Sequence, residues 1–280
     1  MATLYEKNFR HHSKTFSFAA RFFGAKHAQA TAKLYYFFRF VDDIADSDTG
    51  CYKQKSLKIK KSLHSKELAD IRSTYNIPNE IIESFLQTSI NDINFKKMNC
   101  KKDLLNYCYG VASTVGLSMC HVLGVRNKNA YYHAIDLGVA MQLTNICRDV
   151  YEDYECNRIY LPELEQAHFK KNNQHEIFKI QLKYLDLADS YYKSGFEGLT
   201  YLPFRVRIVI FIAGKLYQMI GPAIINDKNY KKRSYVSLTK KVILTIALTP
   251  IFILKQMKTK KYRHNHELHT EIKNLPCAHV

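Results

Sequence analysis

The stretch from Asp136 to Pro162, DLGVAMQLTNICRDVYEDYECNRIYLP, decides how the rest of the chain is interpreted. At 3.6 residues per turn, one side of a helix here carries the polar residues Gln142, Asn145, Asp149 and Asp153. The residues between them are mostly apolar, which indicates that the rest of the helix surface packs against protein. Two carboxylates and two amides buried without partners would be strongly unfavourable. We therefore expect the polar side to face a water-filled or ligand-filled cavity.

Composition favours one large helical domain. The chain has 280 residues, of which 46% are hydrophobic and only 10 are Gly and 6 Pro, so long helices are favoured over a loop-rich β architecture. No linker composition divides it. We expect a single-domain, all-α helical bundle with a central cavity over residues 1–257, followed by a basic, mobile tail over residues 258–280.

The tail contains several histidines without a consistent metal-ligand spacing. They are His264, His266, His269 and His279. A solvated tail is the favoured interpretation, and a metal site is the alternative.

The seven cysteines of the chain contain no CxxC pair, which predicts neither a disulfide framework nor a zinc site and fits a reducing intracellular compartment.

The formal net charge of +17 calls for a partner of opposite sign. We expect no signal peptide, and no run that reaches the roughly 18 apolar residues needed to span a membrane. The mainly apolar segment VILTIALTPIFIL, residues 242–254, lies between basic flanks. It suits either a core helix or a segment that lies on an anionic membrane surface.

A second group of carboxylates lies at the end of a helix predicted over residues 27–47. Asp42, Asp43 and Asp46 are three and four residues apart and share a face, with Arg39 one turn earlier. Three acids in a last helical turn oppose the helix dipole. Mg²⁺ would compensate them, because it takes carboxylate oxygens and keeps sites free for water and phosphate. A solvated acidic helix end is the alternative.

Two further stretches give weaker signals. In HHSKTFSFAARFF, residues 11–23, Ser13 and its neighbours suit an anion, although a plain helix N-cap explains them too. Residues 102–124 are predicted to form one long helix in which Gly110 and Gly116 could leave room for a long, thin ligand. Close helix packing is the alternative explanation for these glycines.

Together, two acidic helix faces in one cavity predict a particular chemistry. They would attract divalent cations, and such ions with Arg beside them bind diphosphate and withdraw it as a leaving group. Walls of Tyr and Phe would hold a hydrocarbon and shelter a carbocation, since aromatic faces attract cations. The residues therefore predict ionisation of an allylic diphosphate.

The motifs HSKTFSFA, RFVDDIAD, YCYGVASTVG, QLTNICRDVYED and RIYLP, in this order, resemble those of the squalene and phytoene synthases, the head-to-head trans-prenyltransferases. The resemblance runs from His12 to about Lys241 and is greatest to the bacterial phytoene synthases. It implies a helical bundle of the isoprenoid synthase type. It also implies condensation of two geranylgeranyl diphosphates, through a cyclopropyl diphosphate, to phytoene in carotenoid biosynthesis, with release of diphosphate.

Within the same class, a relative that uses farnesyl diphosphate to make dehydrosqualene, squalene or presqualene diphosphate is the alternative. The choice depends on the depth of the cavity. A non-catalytic basic helical protein that binds membranes or nucleic acid is an alternative from another class. This alternative explains the net charge but does not explain the two acidic clusters, because carboxylates repel phosphate unless a metal intervenes.

The resemblance implies roles for individual residues. Catalytic roles are implied for Asp42, Asp43, Asp46, Asp149, Asp153, Tyr35 and Tyr109. Substrate-binding roles are implied for His12, Ser13, Arg39, Gln142, Asn145, Arg148, Arg158 and Tyr217. The implied ligands of Mg²⁺, or of Mn²⁺ in its place, are Asp42, Asp43, Asp46, Asn145, Asp149 and Asp153. No NADPH is expected for phytoene.

The expected partners are prenyl diphosphates and an anionic membrane surface, with no nucleic acid. The protein is expected to be a cytoplasmic monomer, peripheral on the inner face of the membrane. One departure from the family's wording stands out: Asn157 occupies the position before RIYLP where Gly is usual. This departure leaves the conformation of the loop open, although Asn tolerates a positive φ nearly as well as Gly.

Overall fold

In this computed structural model, residues 25–47, 49–256 and 264–279 are described, and all regular elements within them are helical. This confirms the all-α prediction. In chain order the α-helices are α1 (Ala25–Asp46), α2 (Tyr52–Ser62), α3 (Lys66–Tyr75), α4 (Asn79–Ile93), α5 (Lys101–Cys108), α6 (Thr114–Val122), α7 (Lys128–Arg148), α8 (Val150–Glu155), α9 (Gln166–Lys170), α10 (Gln174–Glu197), α11 (Phe204–Gln218), α12 (Ile220–Asp227) and α13 (Leu238–Gln256). A π-helical segment, Tyr109–Ser113, and two 3₁₀ segments, Gly198–Tyr201 and His266–His269, complete them.

Helix α7 is the centre of the bundle. Its apolar residues Ile135, Val139 and Leu143 recur every four positions and are fully buried. Helix α10 packs along it, and the π-helical segment approaches it closely on another side. A Cβ atom at Gly138 would lie 2.6 Å from Ser113 Cα, so only glycine permits this approach of two backbones.

The predicted helix over 102–124 is interrupted. Helices α5 and α6 are separated by the π-helical segment, a local widening that often marks functional regions. A side chain at Gly110 would collide with Thr88 of α4, and the Ser113 hydroxyl donates to the Ile135 carbonyl at 2.8 Å. The small residues therefore serve close helix packing, and the idea of a slot for a thin ligand is not supported.

The solvated, mobile interpretation of the tail is wrong for residues 264–279. His264 and His269 are buried, and so are Ile272 and Ala278. The physical reason is a partner distant in sequence, since both histidines contact the carboxylate of Asp136 on α7. The position of the boundary at 257/258 stays a prediction.

One part of the described chain meets the length and composition of a membrane span. It is Phe204–Asp227, with a mean hydropathy of 1.8 and 28% of its most apolar window buried. The expectation that no run would be long and apolar enough is therefore wrong. A single such stretch is weak evidence for a span, because core helices pass the same test, and this one is divided into α11 and α12.

Candidate active site

The first acidic motif lies in the last turn of α1. Arg39 Nη2 is 2.7 Å from Asp43 Oδ1, while Asp42 is the more buried of the acids. Burial raises the pKa of Asp42 to about 7, the nearby Arg39 opposes this, and the like charges of Asp46 and Asp43 add to it. The motif thus lacks sufficient positive charge to keep all its carboxylates ionised.

The second acidic motif spans the junction of α7 and α8. The backbone departs from helical geometry at Asp149, where φ is −97° and ψ is 12°. Hydrogen bonds four residues apart nevertheless continue through it: the Asp149 N–H donates to the Asn145 carbonyl at 2.8 Å, and the Asp153 N–H donates to the Asp149 carbonyl at 2.8 Å. The break therefore keeps the polar residues on one side, as the sequence predicts.

Two arginines neutralise Asp149. Arg148 makes a bidentate contact, with Nε 2.7 Å from Oδ1 and Nη2 2.6 Å from Oδ2. Arg233 approaches from the other side, with Nε 3.3 Å from Asp149 Oδ1 and Nη1 2.6 Å from Glu152 Oε2. Asp149 is thus the well-compensated acid of this motif.

Asp153 is in the opposite situation. Burial raises its pKa to about 8, the charge of Asp149 adds to the increase, and Arg158 opposes it. Asp92 and Glu152 contribute further repulsion. A partly buried carboxyl with a raised pKa and an excess of acidic neighbours is a favourable position for a cation.

Arg158 joins the two motifs. Its backbone N–H donates to the Asp153 carbonyl at 2.8 Å, and its Nη1 lies 3.0 Å from Asp46 Oδ1 and 3.5 Å from Asp92 Oδ2. The Tyr160 hydroxyl donates to both oxygens of Asp92, at 2.9 and 3.0 Å. The acidic ends of α1 and α7–α8 therefore face each other across Arg158 and Asp92.

The turn that places Arg158 between the two acidic motifs depends on the backbone conformation of Asn157. Its φ is 60°, in the left-handed region, and its N–H donates to the Tyr154 carbonyl at 2.9 Å. This confirms the expectation that Asn would support a positive φ at the position where the family usually has Gly.

Sequence reasoning missed Asp92 and Arg233. Asp92 lies near the end of α4, a helix interpreted from the sequence only as packing, and it lines a pocket of about 530 Å³ with Tyr107. Burial raises the pKa of Asp92, with Arg158 opposing. No local pattern could have revealed it. Arg233 belongs to the basic run noted at residues 228–241, so its charge was visible but its target was not.

The two amides of the polar stripe contact each other. Asn145 Nδ2 donates to Gln142 Oε1 at 3.2 Å. This leaves Asn145 Oδ1 buried and without a hydrogen-bond partner in the described part of the chain. An amide oxygen beside Asp149 and Asp153 completes a set of hard oxygen donors, which fits a divalent cation such as Mg²⁺.

Two of the three predicted cavity tyrosines lie near the acids. Tyr217 is among the groups that raise the pKa of Arg148, and it also contributes to the raised pKa of Tyr35. Burial raises the pKa of Tyr35, with Arg39 opposing.

Tyr109 is placed elsewhere. It is buried and its hydroxyl donates to the Pro276 carbonyl at 2.5 Å, against the C-terminal segment, so its catalytic role stays a prediction. His12 and Ser13 lie outside the described residues.

The fold is an all-helical bundle in which two acidic motifs face each other across Arg158. The family described as Squalene/phytoene synthase matches residues 9–240, and the chain belongs to this family of head-to-head prenyltransferases.

The names of the similar proteins state different products. The chain is 29% identical to a 15-cis-phytoene synthase of Enterobacter agglomerans, over 84% of this chain and 90% of the relative. It is 29% identical to a 4,4'-diapophytoene synthase of Staphylococcus haemolyticus, over 86% and 95%. The crystal structure of a dehydrosqualene synthase in complex with ligand has a TM-score of 0.77 and 25% identity, over 89% of this chain and 95% of that chain.

Proposed function

We propose that this prenyltransferase condenses two geranylgeranyl diphosphates head-to-head to phytoene. The observation that supports the proposal is the meeting of the two acidic motifs across Arg158 and Asp92. One site can thus serve two diphosphate groups, with oxygen ligands for metal ions on both faces and arginines between them. The proposal also draws support from the phytoene synthases among the similar proteins.

The proposed reaction has two ionisations. In the first, the C1–O bond of one substrate breaks, diphosphate takes the electron pair, and the resulting carbocation is attacked by the double bond of the second substrate. Loss of a proton closes a cyclopropyl diphosphate. In the second, this intermediate loses its diphosphate, the ring rearranges to the 1-1' linkage, and loss of another proton gives phytoene without hydride transfer. Released diphosphate is the proposed proton acceptor.

The residues of the site have distinct parts in this proposal. Arg148, Arg158 and Arg39 would bind diphosphate oxygens, because a guanidinium recognises phosphate through paired hydrogen bonds. Tyr35 and Tyr217 would line the region in which positive charge develops, since aromatic faces attract cations. Both rings lie close enough to the acidic motifs for their charges to interact.

We further propose Mg²⁺, with Mn²⁺ as a substitute, as the metal. The two motifs would hold it through Asp42, Asp43, Asp46, Asn145, Asp149 and Asp153. The free Asn145 Oδ1 and the raised pKa of Asp42 and Asp153 support this assignment, since each shows an oxygen donor short of positive charge. When bound, Mg²⁺ stabilises the negative charge that develops on the leaving diphosphate.

Farnesyl diphosphate is the second candidate substrate. The similar 4,4'-diapophytoene synthase and the similar dehydrosqualene synthase structure favour it, because their names state products other than phytoene. Purified protein should be incubated with radiolabelled geranylgeranyl or farnesyl diphosphate and Mg²⁺, with and without NADPH, and the products separated by chromatography. We expect the C40 hydrocarbon from the first substrate without NADPH. Exclusive turnover of farnesyl diphosphate would support the alternative.

A matched pair of variants tests the site itself. We expect Asp149→Ala to reduce turnover by about 100-fold or more, the scale seen when an electrostatic catalytic contact is removed. Asp186→Ala removes an exposed acid of α10 and serves as the control. Full turnover of Asp149→Ala, or no product from either substrate, would contradict the enzymatic proposal.

We also propose that the protein acts as a monomer on the cytoplasmic face of an anionic membrane. Helix α13 exposes large apolar side chains, with Leu238 77%, Ile243 60% and Ile246 70% exposed, beside the cations of Lys240 and Lys241. Co-sedimentation should be stronger with anionic than with neutral vesicles, and Ile246→Glu should weaken it. Equal sedimentation with both vesicles would contradict the proposal.

A further inference from the structure

A buried polar cluster lies on α7 away from the acidic motifs. Asp136 Oδ2 accepts from the Ser194 hydroxyl at 2.5 Å and is 2.7 Å from His264 Nε2. Asp136 Oδ1 is 2.9 Å from His269 Nε2. His133 Nδ1 lies 3.0 Å from Ser194 Oγ. The side chains of Asp136 and of both C-terminal histidines have no exposed surface.

The charge of Asp136 requires compensation. A carboxylate taken out of water is strongly disfavoured unless an opposite charge accompanies it. No lysine or arginine in the described ranges makes an ion pair with Asp136, and its contacts are two imidazoles and one hydroxyl. The positive charge must therefore come from a proton on an imidazole or from a bound cation.

We propose that Asp136, His264 and His269 bind one divalent transition metal ion of the zinc type, which fastens the C-terminal segment to α7. Two imidazole nitrogens and a carboxylate are a donor set that suits Zn²⁺. The three donor atoms lie within 4.8 Å of one another. Mg²⁺, in contrast, takes oxygen ligands, so this site and the acidic motifs select different ions.

The surroundings of the carboxylate resemble those of a metal ligand. Carboxylates that ligate metals are usually held by outer hydrogen bonds, and here Ser194 and His133 form such a support for Asp136. Ligands on a tetrahedral ion with bonds of about 2.0 Å are roughly 3.3 Å apart. The observed separations of 2.7 and 2.9 Å would need to widen by about 0.6 and 0.4 Å.

The C-terminal segment has little regular structure of its own, so a metal ion shared with α7 would help to hold it in place. Its only regular element within 264–279 is the four-residue 3₁₀ turn His266–His269. Apart from the cluster, it is attached by the buried Ile272 and Ala278 and by tyrosine hydroxyls that donate to its carbonyls, among them Tyr109 to Pro276 and Tyr191 to Leu268. A bound metal ion would add to these contacts, because metal binding contributes its free energy to the folded arrangement.

The test uses the untagged full-length chain, because a histidine tag would bind metal itself. After dialysis against Mg²⁺-containing buffer, elemental analysis should find about one tightly bound transition metal ion per chain. Metal-free protein reconstituted with Co²⁺ should show visible absorption of a low-coordinate nitrogen and oxygen site, and Zn²⁺ should raise its unfolding temperature. This wild-type measurement does not depend on whether variants fold.

Two variants locate the site. His264→Gln should lose the tightly bound ion and the Co²⁺ absorption, whereas His279→Gln, in the exposed end of the same segment, should retain both. Retention of the ion by His264→Gln would overturn the proposal by placing the metal elsewhere. Wild-type protein with neither bound ion nor thermal response to Zn²⁺ would also overturn it and leave a hydrogen-bonded cluster only. Neither result depends on prenyl transfer, so the proposed activity is tested separately.

Discussion

Two carboxylates, Asp136 on α7 and Asp153 on α8, differ in how the protein compensates their charge. At Asp136, burial opposes ionisation, but hydrogen bonds from His264 and His269 outweigh it and lower the pKa. At Asp153, burial and the charge of Asp149 together raise the pKa to about 8. The first acid has two imidazole nitrogens beside it, whereas the second has no nitrogen donor that outweighs its acidic neighbours. The neighbouring donors therefore distinguish the carboxylate proposed to hold a zinc-type ion from the one proposed to hold Mg²⁺.

Removing a hydrogen-bond partner of Asp136 should have the largest effect. His269→Leu leaves Asp136 with one imidazole instead of two, and removing a partner of a buried charge typically destabilises a protein by about 3–5 kcal/mol. Denaturant unfolding should show this as a fall in the free energy of unfolding. The exposed control His279→Leu should change it by no more than about 0.5 kcal/mol. Equal stability of the two variants would contradict the comparison.

Removing the carboxylate of Asp153 should lower the activity and raise the stability of the metal-free protein. We expect Asp153→Asn to reduce turnover by about 100-fold to 1000-fold. In metal-free buffer near pH 8 the same variant should unfold at a higher temperature than wild type, because a buried, repelled charge is gone. A lower unfolding temperature would show that Asp153 is already compensated.

The raised pKa values of Asp42 and Asp153 set a pH dependence. Both folded-state values, about 7 and about 8, exceed the ordinary 3.8, so the folded protein retains protons that the unfolded chain releases. The unfolding free energy of metal-free protein should therefore fall as pH rises from about 4 to about 8.

Since Mg²⁺ requires the ionised acids, its thermal stabilisation should be larger near pH 8.5 than near pH 6. Asp153→Asn should reduce that difference, and Asp186→Asn should not. A stabilisation by Mg²⁺ that is the same at both pH values would exclude competition with these protons.

A smaller effect is expected from Asp92, which contacts the arginine between the motifs. Asp92→Asn keeps a partner for the Tyr160 hydroxyl but weakens the hold on Arg158. We expect a loss of about tenfold in kcat/KM, mostly through KM for the diphosphate substrate. The exposed neighbour Asn91→Asp is a control for added charge near the pocket. An unchanged KM would assign Asp92 to packing alone.

The sequence predicted what depends on local spacing. The helix expected over 27–47 is found as Ala25–Asp46, and the polar side of α7 continues through Asp149 to Asp153. These features follow from the helical period and from residue type. The resemblance to a family with two acidic motifs then predicted the isoprenoid synthase fold, which the similar structures confirm.

What the sequence could not predict depends on long-range contacts. Arg158 meets Asp46 112 positions away, and His264 meets Asp136 128 positions away. A period along one helix defines which residues share its face but does not identify the partner opposite. For the same reason Asp92 was interpreted as a packing-helix residue and the C-terminal histidines as solvated.

The bidentate pairing of Arg148 with Asp149 has a thermodynamic consequence. A cation that takes the carboxylate oxygens of Asp149 releases the guanidinium, which can then bind a phosphate group. Metal and diphosphate would therefore each raise the affinity for the other by the same factor, as linkage requires. Whichever ligand binds first must break the ion pair between Arg148 and Asp149, and the second ligand then binds without that cost.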